Sequence, residues 1–258
     1  LLACNVFDSN GKIQIESSDD EKSFLTTIKN NCFELSELAD VRTGIMGFEY
    51  WKMQNVIDSG GLCSDSRIPI YTNGNLARYI DKWNDTEITL YKSKYYKPTI
   101  ELDANYLNAN TISLFRTSPK IIVRGVARNV SGIIAEQSSG LLVAVHAIIP
   151  HKISVYALLA YINSRFINWY HLKTFYSQRI PQGSLKYPVE FFQYLPIPCN
   201  YIKFEKELEA LARLMSNNIN KETNDRIDYI IYQSYGLTYD EVLIVDPQTP
   251  ITREEYEN

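Results

Sequence analysis

The sequence predicts an α+β fold: a twisted antiparallel or mixed sheet with one long packed helix, followed by a helical C-terminal tail. Three observations carry that expectation. Between Ile68 and Val145 the chain runs through short β-rich segments separated by turn signals; from Ser154 it shows a long amphipathic stripe; and beyond Leu195-Pro196-Ile197-Pro198 it shows further amphipathic patterns. The 258 residues, 45% of them hydrophobic, suffice for one large core or two modest ones.

The first element follows Ser18-Asp19-Asp20-Glu21, which has the form of a capping box. Phe24, Leu25 and Ile28 follow at helical spacing and predict a short amphipathic helix over 19–30. A turn at 36–40 leads into Val41-Arg42-Thr43-Gly44-Ile45-Met46-Gly47. Its two glycines suit either a close approach to a ligand or a plain hairpin turn. Strands are expected at 68–71, 111–115, 121–126, 133–135 and 141–145, punctuated by Asn73-Gly74, Ser118-Pro119, Ser131-Gly132 and Ser139-Gly140. Val155, Leu159, Ile162, Phe166 and Trp169 then step by four, three, four and three, and predict a helix over 155–175. The polar, basic segment 176–186 after it suits nucleic-acid contact or an ordinary surface connection equally well.

The two alternating prolines of Leu195-Pro196-Ile197-Pro198 suit neither helix nor central strand, so a boundary is expected there. Phe204, Leu208, Leu211 and Met215 mark one later helix. Ile227, Ile231 and Tyr235 mark a second, ending at Gly236, and Thr238-Tyr239-Asp240-Glu241 opens a third. The organisation read from this is a lead-in over 1–32, a recognition domain over 33–200 and a helical segment over 201–258.

Charge is unevenly spread. Twelve basic and three acidic residues lie between Lys92 and Lys186, whereas 1–40 carry three basic and eight acidic, and 200–258 carry six and twelve. A basic middle between acidic ends fits a unit that faces a polyanion, or a solvated face on which like charges cluster. No apolar run reaches the roughly 18 residues of a membrane span, and the N-terminus lacks a signal peptide's basic flank, so a cytoplasmic protein is expected. Cys4, Cys32, Cys63 and Cys199 form no C-x-x-C pair, which argues against zinc and for free thiols.

The sequence lacks the motifs of the catalytic classes that act on DNA or nucleotides. Amino-methylation of DNA bases needs an Asn/Asp-Pro-Pro-aromatic loop and a glycine-rich turn for the methyl donor, yet no two prolines are adjacent and no Gly-x-Gly occurs. Lys120 follows Pro119 without the carboxylates a metal-dependent nuclease uses. His146, His151 and His171 share no spacing, and the phosphate loop of nucleotide hydrolases is missing. No catalytic residue or metal ligand is therefore assigned within this chain.

Six stretches in order resemble the C-terminal target-recognition domain of TaqI-type adenine-specific DNA methyltransferases and related single-chain restriction-modification enzymes. They are Leu38–Ile45, Ile68–Tyr79, the Pro-Lys-Ile strand at Pro119–Arg124, the Asn-Ser helix at Tyr156–Arg165, Leu195–Pro198, and Ile227–Thr238 with its Tyr-Gly-Leu-Thr end. The resemblance implies sequence-specific recognition of double-stranded DNA. It also implies an N-terminal methyltransferase domain of the same protein that binds S-adenosylmethionine and flips an adenine, with or without an endonuclease. A chain that starts without Met fits such a fragment. On this reading Arg42, Arg78, Arg124, Arg128 and Arg179 are candidates to pair with guanine, and Thr43 joins them in the glycine loop. Asn73, Gln178 and Gln182 suit adenine, and Lys120, Lys173 and Lys186 suit phosphate. The rival readings are half of a specificity subunit from a multisubunit restriction system, a stand-alone DNA-acting enzyme, and a protein-interaction module.

Overall fold

A computed structural model describes residues 19–103, 105–174 and 184–258. Its centre is an antiparallel sheet of β2 (Ala39–Thr43), β10 (Lys120–Arg124), β12 (Gly132–Ala135) and β14 (Val145–Pro150), in the order β12-β10-β14-β2. The strand sequence Ile121-Ile122-Val123 lacks the alternation of a half-exposed strand because both faces are buried. Ile121, Val123 and Ile148 enter one core and Ile122, Ile133 and Ala147 the other, as the period-two geometry of a strand requires.

The first face is covered by helices. These are α1 (Asp19–Asn30), α4 (Val155–Asn163), α5 (Arg165–Thr174), α7 (Glu205–Asn217), α8 (Lys221–Ser234) and α9 (Tyr239–Val245). A short α6 (Val189–Gln193) and a terminal α10 (Arg253–Glu257) complete this side. Phe24 and Ile28 dock α1 as their spacing predicts, the Phe24 ring lying 5.3 Å from Trp169. Gly236 sits at φ +66°, the left-handed position after α8 that glycine favours, and Thr238 caps α9 through a reciprocal bond with Glu241. Leu208, Ala212, Ile227, Ile231 and Val242 belong to the same core as the central sheet, so the helices after Asn200 are packed into it.

The second face is covered by a mixed sheet of β3 (Ile57–Asp58), β4 (Arg67–Tyr71), β9 (Thr99–Glu101) and β13 (Gly140–Leu141), in the order β13-β4-β9-β3, together with α3 (Ala109–Arg116). Two small ribbons, β5 (Leu76–Ala77) with β6 (Ile80–Asp81) and β7 (Ile88–Leu90) with β8 (Ser93–Tyr95), extend this side, and α2 (Gly47–Lys52) leads into it. Two further ribbons join distant segments: β1 (Cys32–Glu34) with β16 (Pro196–Pro198), and β11 (Val126–Ala127) with β15 (Leu185–Lys186).

Four local expectations are corrected. Residues 111–115 are helical, because the Asn108 side chain accepts from Thr111 N–H (2.9 Å) and starts α3, overriding the β-branched pair Thr111-Ile112. The single helix over 155–175 is two helices. Ser164 is extended, accepts from Ile167 N–H (3.1 Å) and donates to the Tyr161 carbonyl (2.7 Å), so it ends α4 and caps α5. The strand over 141–145 is interrupted by Ala144 at φ +62°. Pro196 and Pro198 do lie in a strand: bonds to its partner run through the Leu195 carbonyl and Cys199 N–H, leaving the prolines at alternate positions that donate nothing.

Candidate nucleic-acid interface

β2 and β10 run in the same direction, so their C-terminal ends share one rim of the central sheet, where Thr43 faces His146 and Arg124 faces Val145. The loop after β10 stays against this rim. Gly125 N–H donates to the Ala144 carbonyl (2.7 Å), Val126 N–H donates to Asn73 Oδ1 (3.2 Å), and Tyr187 N–H donates to the Gly125 carbonyl (2.9 Å). Val126 pairs with Lys186. Arg42, Thr43, Asn73, Arg124, Arg128 and Lys186, separated by up to 144 positions in the chain, therefore converge at one end of one sheet. Arg42, Thr43, Arg128 and Lys186 are exposed, whereas Asn73 and Arg124 are half-buried.

Packing beneath the rim is aromatic and neutral. His146 Nε2 lies 2.9 Å from the Tyr187 carbonyl, and burial lowers its pKa. The His171 ring packs between Tyr187, tilted at 4.4 Å, and Phe191, edge-on at 4.5 Å, and burial lowers its pKa to about 4 against a hydrogen bond to the Lys186 backbone. Burial likewise lowers the Arg124 pKa, opposed by neighbouring Tyr187. Lys173 is exposed on the last turn of α5, two residues beyond His171. Gln178, Arg179 and Gln182 lie outside the described residues.

Two expected contact residues are drawn elsewhere. Lys120 starts β10 at the far end of the sheet and is fully buried; its ammonium donates to the carbonyls of Phe115 (3.0 Å) and Thr117 (2.8 Å), and burial lowers its pKa to about 8. It ties α3 to β10 and has no exposed charge to offer a phosphate. Arg78 has buried Nε and Nη2 atoms and lies close enough to Asp228 to oppose the rise in that carboxyl's pKa. Its setting is an internal ionic cluster.

That cluster shows what the Asn-Ser-Arg segment of α4 and α5 does. Asn163 accepts from Gly132 N–H (2.8 Å) and donates to the Gly132 carbonyl (3.0 Å), holding the start of β12. Arg165 pairs with Asp225 (2.7 Å), Asp228 (3.1 Å) and Asp246 (3.5 Å), while its backbone N–H donates to Asp228 Oδ1 (2.9 Å). Burial pushes the Asp228 pKa up to about 6 despite both arginines. Among the described residues no group of three or more His, Cys, Asp or Glu side chains is placed to hold a metal ion. No helix among them is long and apolar enough to cross a membrane.

The sequence reading missed the neighbours of Arg42 and Thr43. These two residues share an open groove of roughly 530 Å³ with Asn108, Asn110 and Thr111 at the start of α3. The signal was present as an Asn-x-x-Thr cap, masked by the β-branched residues after it.

No family model matches the chain, and no curated protein matches it. Among solved structures, the type IIG restriction endonuclease BpuSI is similar over 85% of this chain and 34% of its own, at 12% identity and a TM-score of 0.44. The HsdS subunit from Thermoanaerobacter tengcongensis is similar over 84% and 51%, at 10% identity and a TM-score of 0.33. A chain from a structural study of complex assembly in the type I R-M system is similar over 84% and 52%, at 12% identity and a TM-score of 0.35. The chain thus spans between a third and about half of these structures, and likenesses this distant assign no function by themselves.

Proposed function

We propose that this chain is a double-stranded DNA recognition module of a restriction-modification enzyme. The observation that carries the reading is the convergence of Arg42, Thr43, Asn73, Arg124, Arg128 and Lys186 on one rim of a rigid sheet. Exposed cations on a rim can neutralise phosphates and release their counterions, while half-buried Arg124 and Asn73 have the donors and acceptors that match base edges. The sheet, buried on both faces, holds these groups in register, and positional precision is what separates reading from mere attraction.

The six ordered sequence motifs support a finer reading. The module serves an adenine-N6 DNA methyltransferase, whose S-adenosylmethionine site and target-base pocket belong to another domain of the same protein. An Asn-Pro-Pro-Tyr motif encoded upstream of Leu1 in the same reading frame is the result expected on that reading. A frame with a second recognition domain and no such motif would favour a specificity subunit instead.

Replacing Arg42, Arg128 and Lys186 together by Gln tests the interface. Each phosphate contact contributes about −0.9 to the slope of log K against log salt, so the variant's slope is expected to be shallower by about 2 to 3. Fluorescence anisotropy of a labelled duplex across a salt series gives that slope. Unchanged affinity and slope would remove the rim from the account.

A further inference from the structure

We propose that α3 is a further base-reading element of this module, and that Asn110, Ser113 and Arg116 contact base edges in the major groove beside the duplex-gripping rim. The inference rests on the DNA-recognition reading and goes beyond it by assigning specificity to residues outside the rim.

α3 has a sharply divided surface. Phe115 is fully buried in the second core with Ile112 and Leu114 packed against that core, whereas Ala109, Asn110, Ser113 and Arg116 are exposed. At 100° per residue the exposed four fall within an arc of about 120°, with small Ala109 and Ser113 in its middle, Asn110 on one side and Arg116 on the other. A helix is about 10–12 Å across with its side chains, against a major groove about 12 Å wide, so a helix entering that groove needs small side chains where it approaches most closely. Asparagine can pair bidentately with adenine and arginine with guanine, while serine bonds to either.

The surroundings leave room for a duplex. Open grooves flank the helix on both sides, one of roughly 530 Å³ shared with Arg42 and Thr43, the other of roughly 670 Å³ bordered by Ser113 and Arg116. The first joins α3 to the rim, so a duplex held by the exposed cations there lies beside the helix.

Charge fits the same occupant. From Ala104 to Ala135 the sequence contains no Asp or Glu and four basic residues. The neighbouring carboxylates are otherwise engaged. Glu49, which borders Asn108 and Thr111, is paired with Lys52 at 2.8 Å, and Asp103 accepts from Asn105 N–H. A polar helix face whose only formal charge is positive, on a stretch without carboxylates, suits a polyanion.

The test selects bound duplexes from a randomised library with the wild-type chain, with Asn110→Ala/Ser113→Ala/Arg116→Ala, and with Arg128→Gln/Lys186→Gln, after thermal melts of all three. The α3 variant is expected to keep its affinity for random-sequence duplex within about threefold and to lose at least about tenfold of its preference for the selected motif. The rim variant is expected to weaken on all sequences and to keep the preference. The single variant Arg116→Gln is expected to change the preferred base at one motif position. If the α3 variant and Arg116→Gln both enrich the wild-type motif undiminished, α3 does not read bases, although a weakened rim variant would leave the DNA-recognition reading standing. If the wild-type chain enriches no motif, both inferences fall together.

Discussion

Asn163 makes two hydrogen bonds to a single residue, Gly132. Asn163→Ala would leave the buried Gly132 N–H without its partner while the Gly132 carbonyl keeps the Tyr79 N–H (3.0 Å), so a loss of about 1–3 kcal/mol in urea-unfolding stability is expected. Arg165→Ala removes the ion-pair partner of the fully buried Asp228 carboxylate, leaving Arg78 as the cation near it, and is expected to cost about 3 kcal/mol at pH 7.5. Because Asp228's folded pKa is raised to about 6, above the usual carboxylate value, its ionisation opposes folding as pH rises through that range. The variant's deficit should therefore shrink between pH 7.5 and 5, and an equal deficit at both pH values would show that Asp228 is not the source.

The opposite sign applies to His171. Its folded pKa is depressed to about 4, so the unfolded chain binds more protons between about pH 6.5 and 4, and stability falls as pH falls through that window. His146, also lowered by burial, acts in the same direction. Thermal melts of His171→Phe against wild type should show a smaller loss across that window, the aromatic ring preserving contact with Tyr187 and Phe191. At this scale the sequence is legible for residue type and blind to direction. Lys120 and Arg124 stand on one strand four residues apart, and nothing in their neighbours distinguishes the lysine that bonds to buried carbonyls from the arginine that reaches the rim.

At the scale of elements, periodicity and caps were legible wherever one signal dominated. Helices α1 and α7 follow from their stripes, α8 from its stripe and the glycine after it, α9 from its capping box, and β4, β10 and β12 from their β-rich runs, while Ser18 of the capping box expected before α1 lies outside the described residues. The errors fall where two local signals compete. At 108–115 an asparagine cap opposes β-branched residues, and at 164 a serine cap interrupts an unbroken apolar stripe. The glycines after β2 were open to two readings, and the structure favours packing at the first. A Cβ on Gly44 would come within 2.7 Å of the Leu141 and Leu142 carbonyl oxygens, a tight approach between the end of β2 and the segment before β14. Gly44→Ala should therefore lower the melting temperature by several degrees and loosen the rim, seen as weaker duplex binding even where folding is retained. An unchanged melting temperature would show that this approach relaxes freely.

For the whole molecule, the charge map of the sequence points to a basic middle segment, and topology brings Arg124, Arg128 and Lys186 from it onto one rim with Arg42, Thr43 and Asn73 from outside it. The basic stretch contains residues as different in placement as Lys120, internal, and Lys186, exposed on a ribbon that contacts the same loop as Asn73. Asn73, distant in sequence from that loop, enters the site because parallel directions in β2 and β10 and a cross-link at Val126 bring their ends together. No local pattern encodes such long-range convergence, which is why the sequence offers candidate residues by kind and leaves their gathering on one rim to the topology. The acidic ends are also explained in part: Asp225, Asp228 and Asp246 surround Arg165 inside the fold. Enrichment from a randomised duplex library by the wild-type chain measures the central claim most directly. Recognition predicts convergence on one short motif, with affinity falling steeply as salt rises; a library that stays random, with binding that does not respond to salt, would contradict it.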